Sequence, residues 1–375
     1  MTKSAGLPGP RGLSRRWPYW LIACSLFVTA GCATDSLAWL MRQGIGQVEV
    51  MAGARPVSRV LDDPNTPETI RSRLRLVEAA RRFARDELGL AVGQQYRSVT
   101  FLDNDAVVYV VSAAPQTSLV PFRWEYPILG RLPYRGFFVL EEAERQAQQM
   151  IQAGYDVSVR PVPTYSLLGV LPDPIVSPML FSGDEAWLVE TVIHELAHAT
   201  VFASSQGAFN ESLATFIGRE GRRLFVEHHY GRDSAIYQYM LRKDADRESY
   251  GRAVGALAFD LRVLFTQAKG LPRAEILERK DQIFLRHQKH YQNDVAETLN
   301  SYRLRTARLP DNNAELSSYG LYTMNQHLYR RAYRSCNEDM RCLIRMLRSV
   351  SRAKNPQLAL EERVTKTTTR ERWIQ

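Results

Sequence analysis

Apolar and polar positions along this chain change period several times, and the changes mark its elements. Between Pro67 and Leu88, the residues Leu74, Leu76, Val77, Ala80 and Phe83 recur at helical spacing, which predicts an amphipathic helix buried on that face. Ser98–Leu102 and Ala106–Ala113 alternate like strands, and Asp103-Asn104-Asp105 between them reads as the tight turn of a hairpin. Phe137–Val139 is a further short strand. Glu141–Ala153 is amphipathic helix, and Gly154 turns the chain into a strand at Val157–Arg160. Leu188–Phe202 is an apolar run without Gly or Pro, read as a helix reaching about Ser204. Ser204-Ser205-Gln206-Gly207 then makes a turn. Phe209–Glu227 forms the next helix, with Leu213, Phe216, Ile217, Leu224 and Phe225 on its apolar side. The pattern is helical from Gly251 to Arg331 and again over Met340–Val350. Asp35–Gln43 is a short helix ended by Gly44, and residues 353–375 read as a polar, loosely ordered tail. Few strands beside many helices predict an α+β protein. Neither a repeat nor a clean linker interrupts it, so residues 32–352 form one domain with a helical C-terminal part.

The first 31 residues stand apart. Arg11, Arg15 and Arg16 precede an apolar stretch from Trp17 to Ala30, too short for a stable membrane span, and small residues follow. This is a secretory signal. Thr29-Ala30-Gly31-Cys32 resembles a bacterial lipobox, which implies lipid on Cys32 after cleavage. Cys24 also follows a suitable triplet, but the apolar segment before it is very short. No Asp follows Cys32, so the expected address is the outer membrane, facing the periplasm, with a lipid anchor as the membrane contact. About 340 residues remain, enough for a sizeable core.

Export changes the reading of the other cysteines. Cys336 and Cys342 are left as an even pair in an oxidising compartment and are expected to form a disulfide. Six residues apart, they point in different directions on a continuous helix, so the bond requires a turn at Ser335–Asp339. The formal net charge is +9. Arg330, Arg331, Arg334, Arg341, Arg345, Arg348 and Arg352 crowd the end of the chain and read as a solvated helical face. Nucleic acid is not an expected partner of an exported protein.

The chemistry concentrates at His194-Glu195-Leu196-Ala197-His198. Residues four apart lie on one face of a helix, so both imidazoles can hold one Zn²⁺ while Glu195 handles a water. A catalytic zinc needs a third protein ligand and an open position. Asn210-Glu211-Ser212-Leu213-Ala214 opens the following helix and offers Glu211, which faces back across the hairpin. The competitor Glu220 sits among Arg219, Arg222 and Arg223, as on a charged solvated face.

H-E-L-A-H followed by N-E-S-L-A resembles the gluzincin metallopeptidases, over a shorter gap than is usual there. A closer resemblance is to the aminopeptidase family found as lipoproteins of Gram-negative bacteria. It extends through Leu132-Pro133-Tyr134-Arg135-Gly136-Phe137-Phe138, Tyr165-Ser166-Leu167-Leu168-Gly169, Asp173-Pro174 and Asp311-Asn312-Asn313-Ala314. The resemblance implies a zincin-like fold with a small sheet beside the His194–His198 helix, and a zinc peptidase acting on peptides. His194, His198 and Glu211 would hold one Zn²⁺, with Glu195 as the base. Tyr237, Tyr319 and Tyr322 are candidates for stabilising the oxyanion. Asp173 and Glu190 are candidates for holding a substrate ammonium, and Tyr165–Val170 for aligning peptide by strand addition. Two other functions stay open: a non-enzymatic envelope lipoprotein with structural zinc, and an endopeptidase of misfolded envelope proteins.

Overall fold

The computed structural model describes residue 39 and residues 41–126, 130–164 and 172–372. The signal segment, Cys24, Cys32 and the Tyr165–Val170 segment lie outside the described residues. The chain forms two compact units, Met1–Glu49 and Val50–Gln375. Helix α1 (41–52) runs through Gly44 instead of ending there. One glycine in a helix costs only about 1 kcal/mol relative to alanine, which neighbouring turns can offset.

Among the described residues the strands are β1 (Arg55–Pro56), β2 (Ser98–Thr100), β3 (Val108–Pro115), β4 (Trp124–Tyr126), β5 (Gly130–Leu132), β6 (Arg135–Phe137), β7 (Tyr155–Val162) and β8 (Ile175–Val176). The helices after α1 are α2 (Val57–Asp62), α3 (Glu68–Asp86), α4 (Leu140–Gln152), α5 (Ser177–Phe181), α6 (Glu185–Thr200), α7 (Gly207–Tyr230), α8 (Ala235–Gln267), α9 (Arg273–His290), α10 (Tyr302–Arg305), α11 (Asn313–Thr323), α12 (Gln326–Ser335), α13 (Met340–Val350) and α14 (Pro356–Arg372). Helix dominates, with small sheets, as an α+β chain requires.

The expected hairpin between the strands at 98–102 and 106–113 does not form. β2 pairs instead with β1 antiparallel and with β8 parallel, while β3 lies in a second sheet of order β6-β3-β7. Both edges of β3 are taken elsewhere. β7 meets one over eight register pairs, from Val108↔Val162 to Pro115↔Tyr155, and β6 meets the other over three. β2 satisfies its backbone groups on β1 and β8 instead. The short strand near Phe137 lies earlier than expected, at Arg135–Phe137, because Val139 is already the N-cap of α4. Gly154, at φ +82°, makes the turn from α4 into β7 that needs left-handed backbone.

The main core gathers α3, α6, α7, α12, α13 and α14. Leu74, Val77, Ala80 and Phe83 of α3 are buried in it, and Leu76 packs at its margin. A second cluster joins Val254, Leu257 and Leu261 of α8 to Phe284 of α9 and Tyr291. The segment read as a loose polar tail is helix α14, and its Leu360 and Val364 are buried in the main core. Two apolar residues four apart suffice to dock one turn of an otherwise polar helix. Between α12 and α13 the chain reverses through Asn337 and Glu338, both left-handed (φ +53° and +58°). The turn brings Cys336 and Cys342 together in a disulfide with Cα atoms 5.7 Å apart. All seven arginines from Arg330 to Arg352 named above are exposed.

One partly buried carboxylate joins sheet and helices. Asp156 of β7 accepts from Lys280 Nζ of α9 (2.5 Å) and from the backbone N–H of Asn313 at the start of α11 (2.9 Å). The Asn313 side chain in turn donates to the carbonyls of Pro115, Gln116 and Ser118, at the end of β3.

Candidate active site

α6 starts cleanly because Asp184 caps it, accepting from Trp187 N–H at 2.8 Å. It stops at Thr200, short of Ser204. The Thr200 hydroxyl turns back to the carbonyl of Leu196 (2.7 Å) and accepts from Ala91 N–H (2.9 Å), so the chain leaves helical geometry there. Asn210 then clamps the connection, accepting from Ala203 N–H (2.9 Å) and donating to Ala203 O (2.8 Å). α7 begins at Gly207, so Glu211 lies in its second turn. Further along, the two helices touch at Gly218. A Cβ there would sit 3.0 Å from Glu190 O and 3.2 Å from His194 Cβ, so glycine permits the close approach.

This hairpin brings three donor atoms together. His194 Nε2 lies 3.2 Å from His198 Nε2 and 3.6 Å from Glu211 Oε2, and His198 Nε2 lies 3.7 Å from the same oxygen. Donors about 2.0–2.1 Å from a tetrahedral zinc stand roughly 3.3–3.4 Å apart. The residues therefore fit a metal of that size and softness. Among the described residues this is the cluster of His, Cys, Asp and Glu that can hold a metal ion. Burial alone would raise the Glu211 carboxyl. The paired His198 and His194 outweigh it and hold the group well below the ordinary carboxylate range. Burial alone would lower His198, but Glu211 raises it instead. The trio thus pairs one carboxylate with two imidazoles.

The trio opens into a cleft of about 370 Å³. α6 supplies one wall through Trp187, Glu190, Thr191, His194, Glu195 and His198. Sheet β6-β3-β7 supplies another, with Val108, Val110 and Ser112 on alternate positions of β3 and Arg160 and Val162 on β7. Ser318, Leu321 and Tyr322 of α11 form the third. Glu195 lines the cleft, and Thr164 donates to its Oε1 (3.3 Å). Tyr134 donates to Glu211 Oε1 (3.2 Å), which leaves Oε2 for the histidines. Burial, then the Glu211 charge, hold the Tyr134 phenol well above its ordinary range, so it remains a donor at working pH. Tyr134 and Thr164 were not singled out from sequence. Their only trace was the placement of Tyr134 inside Leu132–Phe138.

The other sequence candidates separate. Tyr322 lines the cleft, its ring 6.4 Å from that of His194. Burial, then Glu211, raise its phenol. Tyr237 is buried elsewhere, and Tyr319 packs on Tyr250; neither lines the cleft. Glu220 is buried, contrary to the solvated face expected, because Arg223 (2.5 Å) and Arg330 (2.8 Å) neutralise it away from the histidines. Glu190 borders the cleft, yet its carboxylate is taken by Arg222 and Arg247, each at 2.9 Å, and faces Arg219 at 3.7 Å. Burial would raise it, but Arg247, Arg222 and Arg219 lower it to about 2. So saturated a carboxylate has nothing left for a substrate ammonium. Asp173 is buried and outside the cleft lining; its N–H donates to Gln95 and its carbonyl accepts from Tyr96.

A family model described as Putative aminopeptidase matches residues 38–360. No curated protein and no solved structure matches the chain.

Proposed function

The chain belongs to that aminopeptidase family, and from this premise we propose that it is a zinc-dependent peptidase that removes N-terminal residues from peptides in the periplasm. The observation that carries the proposal is the convergence of His194, His198 and Glu211 donor atoms, 3.2–3.7 Å apart, in the cleft that Glu195 also lines. Zinc held by these three would polarise the scissile carbonyl and acidify the attacking water.

The chain's own groups do the rest. Glu195 accepts the proton of the attacking water and returns it to the leaving amine. Thr164 fixes one Glu195 oxygen and leaves the other for that transfer. Tyr322 donates its hydroxyl to the oxyanion; its raised range keeps the proton in place. Tyr134 keeps Glu211 oriented from behind. A closed structural zinc site takes four protein ligands, and the described cluster offers three, which favours an open, catalytic position over a scaffold. We further propose, on sequence alone, that residues 1–31 are removed, that Cys32 carries lipid, and that the protein sits on the outer membrane.

The test is direct. Purified protein should hold about one zinc per chain. It should release free N-terminal residues from peptides, stop when a chelator strips the metal, and resume when zinc is restored. Internal fragments as first products would make it an endopeptidase. Metal-loaded protein that cleaves no peptide would leave the non-enzymatic reading in its place. Labelled palmitate should enter through Cys32 and disappear in Cys32→Ser; label persisting there would refute the anchor.

A further inference from the structure

An aminopeptidase that recognises a free ammonium needs a spare carboxylate beside its catalytic groups. The carboxylates that line this cleft are Glu190, Glu195 and Glu211. Three arginines saturate Glu190, and the other two belong to the reaction. The segments outside the described residues nearest in sequence to the cleft walls, 127–129 and 165–171, contain no Asp or Glu. The cleft does hold a cation. Arg160 is its only lysine or arginine among the described residues, and no carboxylate pairs with it.

Arg160 is held in place without being neutralised. One Nη2–H donates to the Tyr322 hydroxyl oxygen at 3.4 Å, and the guanidinium carbon lies 5.7 Å from that ring's centroid. A guanidinium carries five N–H donors in a fixed fork. The bond to Tyr322 uses one, and a free edge matches a carboxylate. Resting on the proposed peptidase reading, we infer that Arg160 receives the C-terminal carboxylate of a short peptide, so that substrate is measured from its carboxyl end.

The distances bound the length. The Tyr322 ring spans the gap, its centroid 6.4 Å from that of the His194 ring and 5.7 Å from the Arg160 guanidinium carbon, so ring and guanidinium are at most about 12 Å apart. Extended peptide advances about 3.3 Å per residue, so no more than about three residues fit between a carbonyl at the histidines and a carboxylate at Arg160. The scissile carbonyl then belongs to the first residue of a di-, tri- or tetrapeptide. Water addition releases one free amino acid and the remainder, whose carboxylate stays on Arg160 until it departs. The preferred substrates are peptides of up to about four residues with a free C-terminus.

Binding and turnover should be read separately, using trialanine and its C-terminal amide. In zinc-loaded Glu195→Gln protein, calorimetry should show trialanine binding at least 10-fold more tightly than the amide. Adding Arg160→Gln should erase that difference by weakening the acid alone, and Arg160→Lys should restore part of it. In wild type, kcat/KM over di-, tri-, tetra- and pentaalanine should fall beyond four residues, with the Arg160→Gln loss falling on KM. Equal affinity for acid and amide in the Arg160-containing protein would overturn the inference, whatever the turnover data. So would a rate that rises steadily with length. A retained acid preference in a protein whose wild type hydrolyses no peptide would refute the peptidase reading and leave the carboxylate site standing. Thermal melts of the exposed Arg160 variants should match their parents and verify folding.

Discussion

Replacing Tyr134 by Phe removes one oxygen and keeps the ring. The lost group donates to Glu211 Oε1 at 3.2 Å, on the side away from the histidines. A hydrogen bond to a charged acceptor contributes about 1.5–3 kcal/mol. Little water can replace it, because Tyr134 and Glu211 are both largely buried. Nearly all of that loss should appear in the ability of Glu211 to present Oε2 beside His194 and His198. At about 1.4 kcal/mol per decade, zinc affinity should fall roughly 10- to 100-fold. The assay is competition against a chromogenic chelator at neutral pH, with circular dichroism to verify an unchanged fold. Glu211→Gln should lose far more affinity, and Glu220→Gln, whose carboxylate is committed to Arg223 and Arg330, almost none. A folded Tyr134→Phe protein within twofold of wild type in zinc affinity would refute the argument that this hydroxyl positions the carboxylate.

Three more outcomes follow from the geometry. Glu195→Gln should keep its zinc and fold while hydrolysis falls about 10²- to 10⁴-fold; zinc loss would show that Glu195 is a ligand instead. Glu190 is lowered from 4.5 to about 2 by its arginines, so its stabilisation is complete above about pH 4.5 and disappears as pH falls through 2. That shift corresponds to about 3 kcal/mol, and Glu190→Gln should flatten the acid limb of a stability–pH curve measured by urea unfolding; an unchanged limb would contradict it. Leu360→Ala in α14 should cost about 2–5 kcal/mol, since the side chain is fully buried; a loss under about 0.5 kcal/mol would mean that α14 does not belong to the core.

What could be read from sequence followed from how local the determining contacts are. His194 and His198 share a helix face by periodicity alone, and Glu211 is one short connection away. Met340–Val350 has the same bounds in sequence pattern and in structure, because six of its residues are buried at regular spacing. Tyr134 and Thr164 were invisible because they flank β6 and β7, which reach the cleft only by pairing with β3 across long stretches of sequence. The same long-range pairing removed the hairpin that Asp103-Asn104-Asp105 suggested. Glu220 misled because Arg223, three residues away, suits a solvated face as well as a buried ion pair, and the second partner, Arg330, lies 110 residues further along the chain. The anchoring role first sought in Glu190 failed for a similar reason: Arg247, which satisfies it, is far away in sequence.

The junction at Asp156 gives the cleft a fixed gauge. Four residues before Arg160 on the same strand, that carboxylate ties β7 to the first residue of α11, the helix whose last turn carries Tyr322 beside the histidines. Lys280 makes α9 a third party to the joint. The two sides of the cleft are therefore bolted together at one end, like the arms of a caliper locked at its pivot. If Arg160 receives a substrate carboxylate, substrate length depends on the joint as much as on the jaws. Changes at Asp156, Lys280 or Asn313, none of which lines the cleft, would then alter it from a distance.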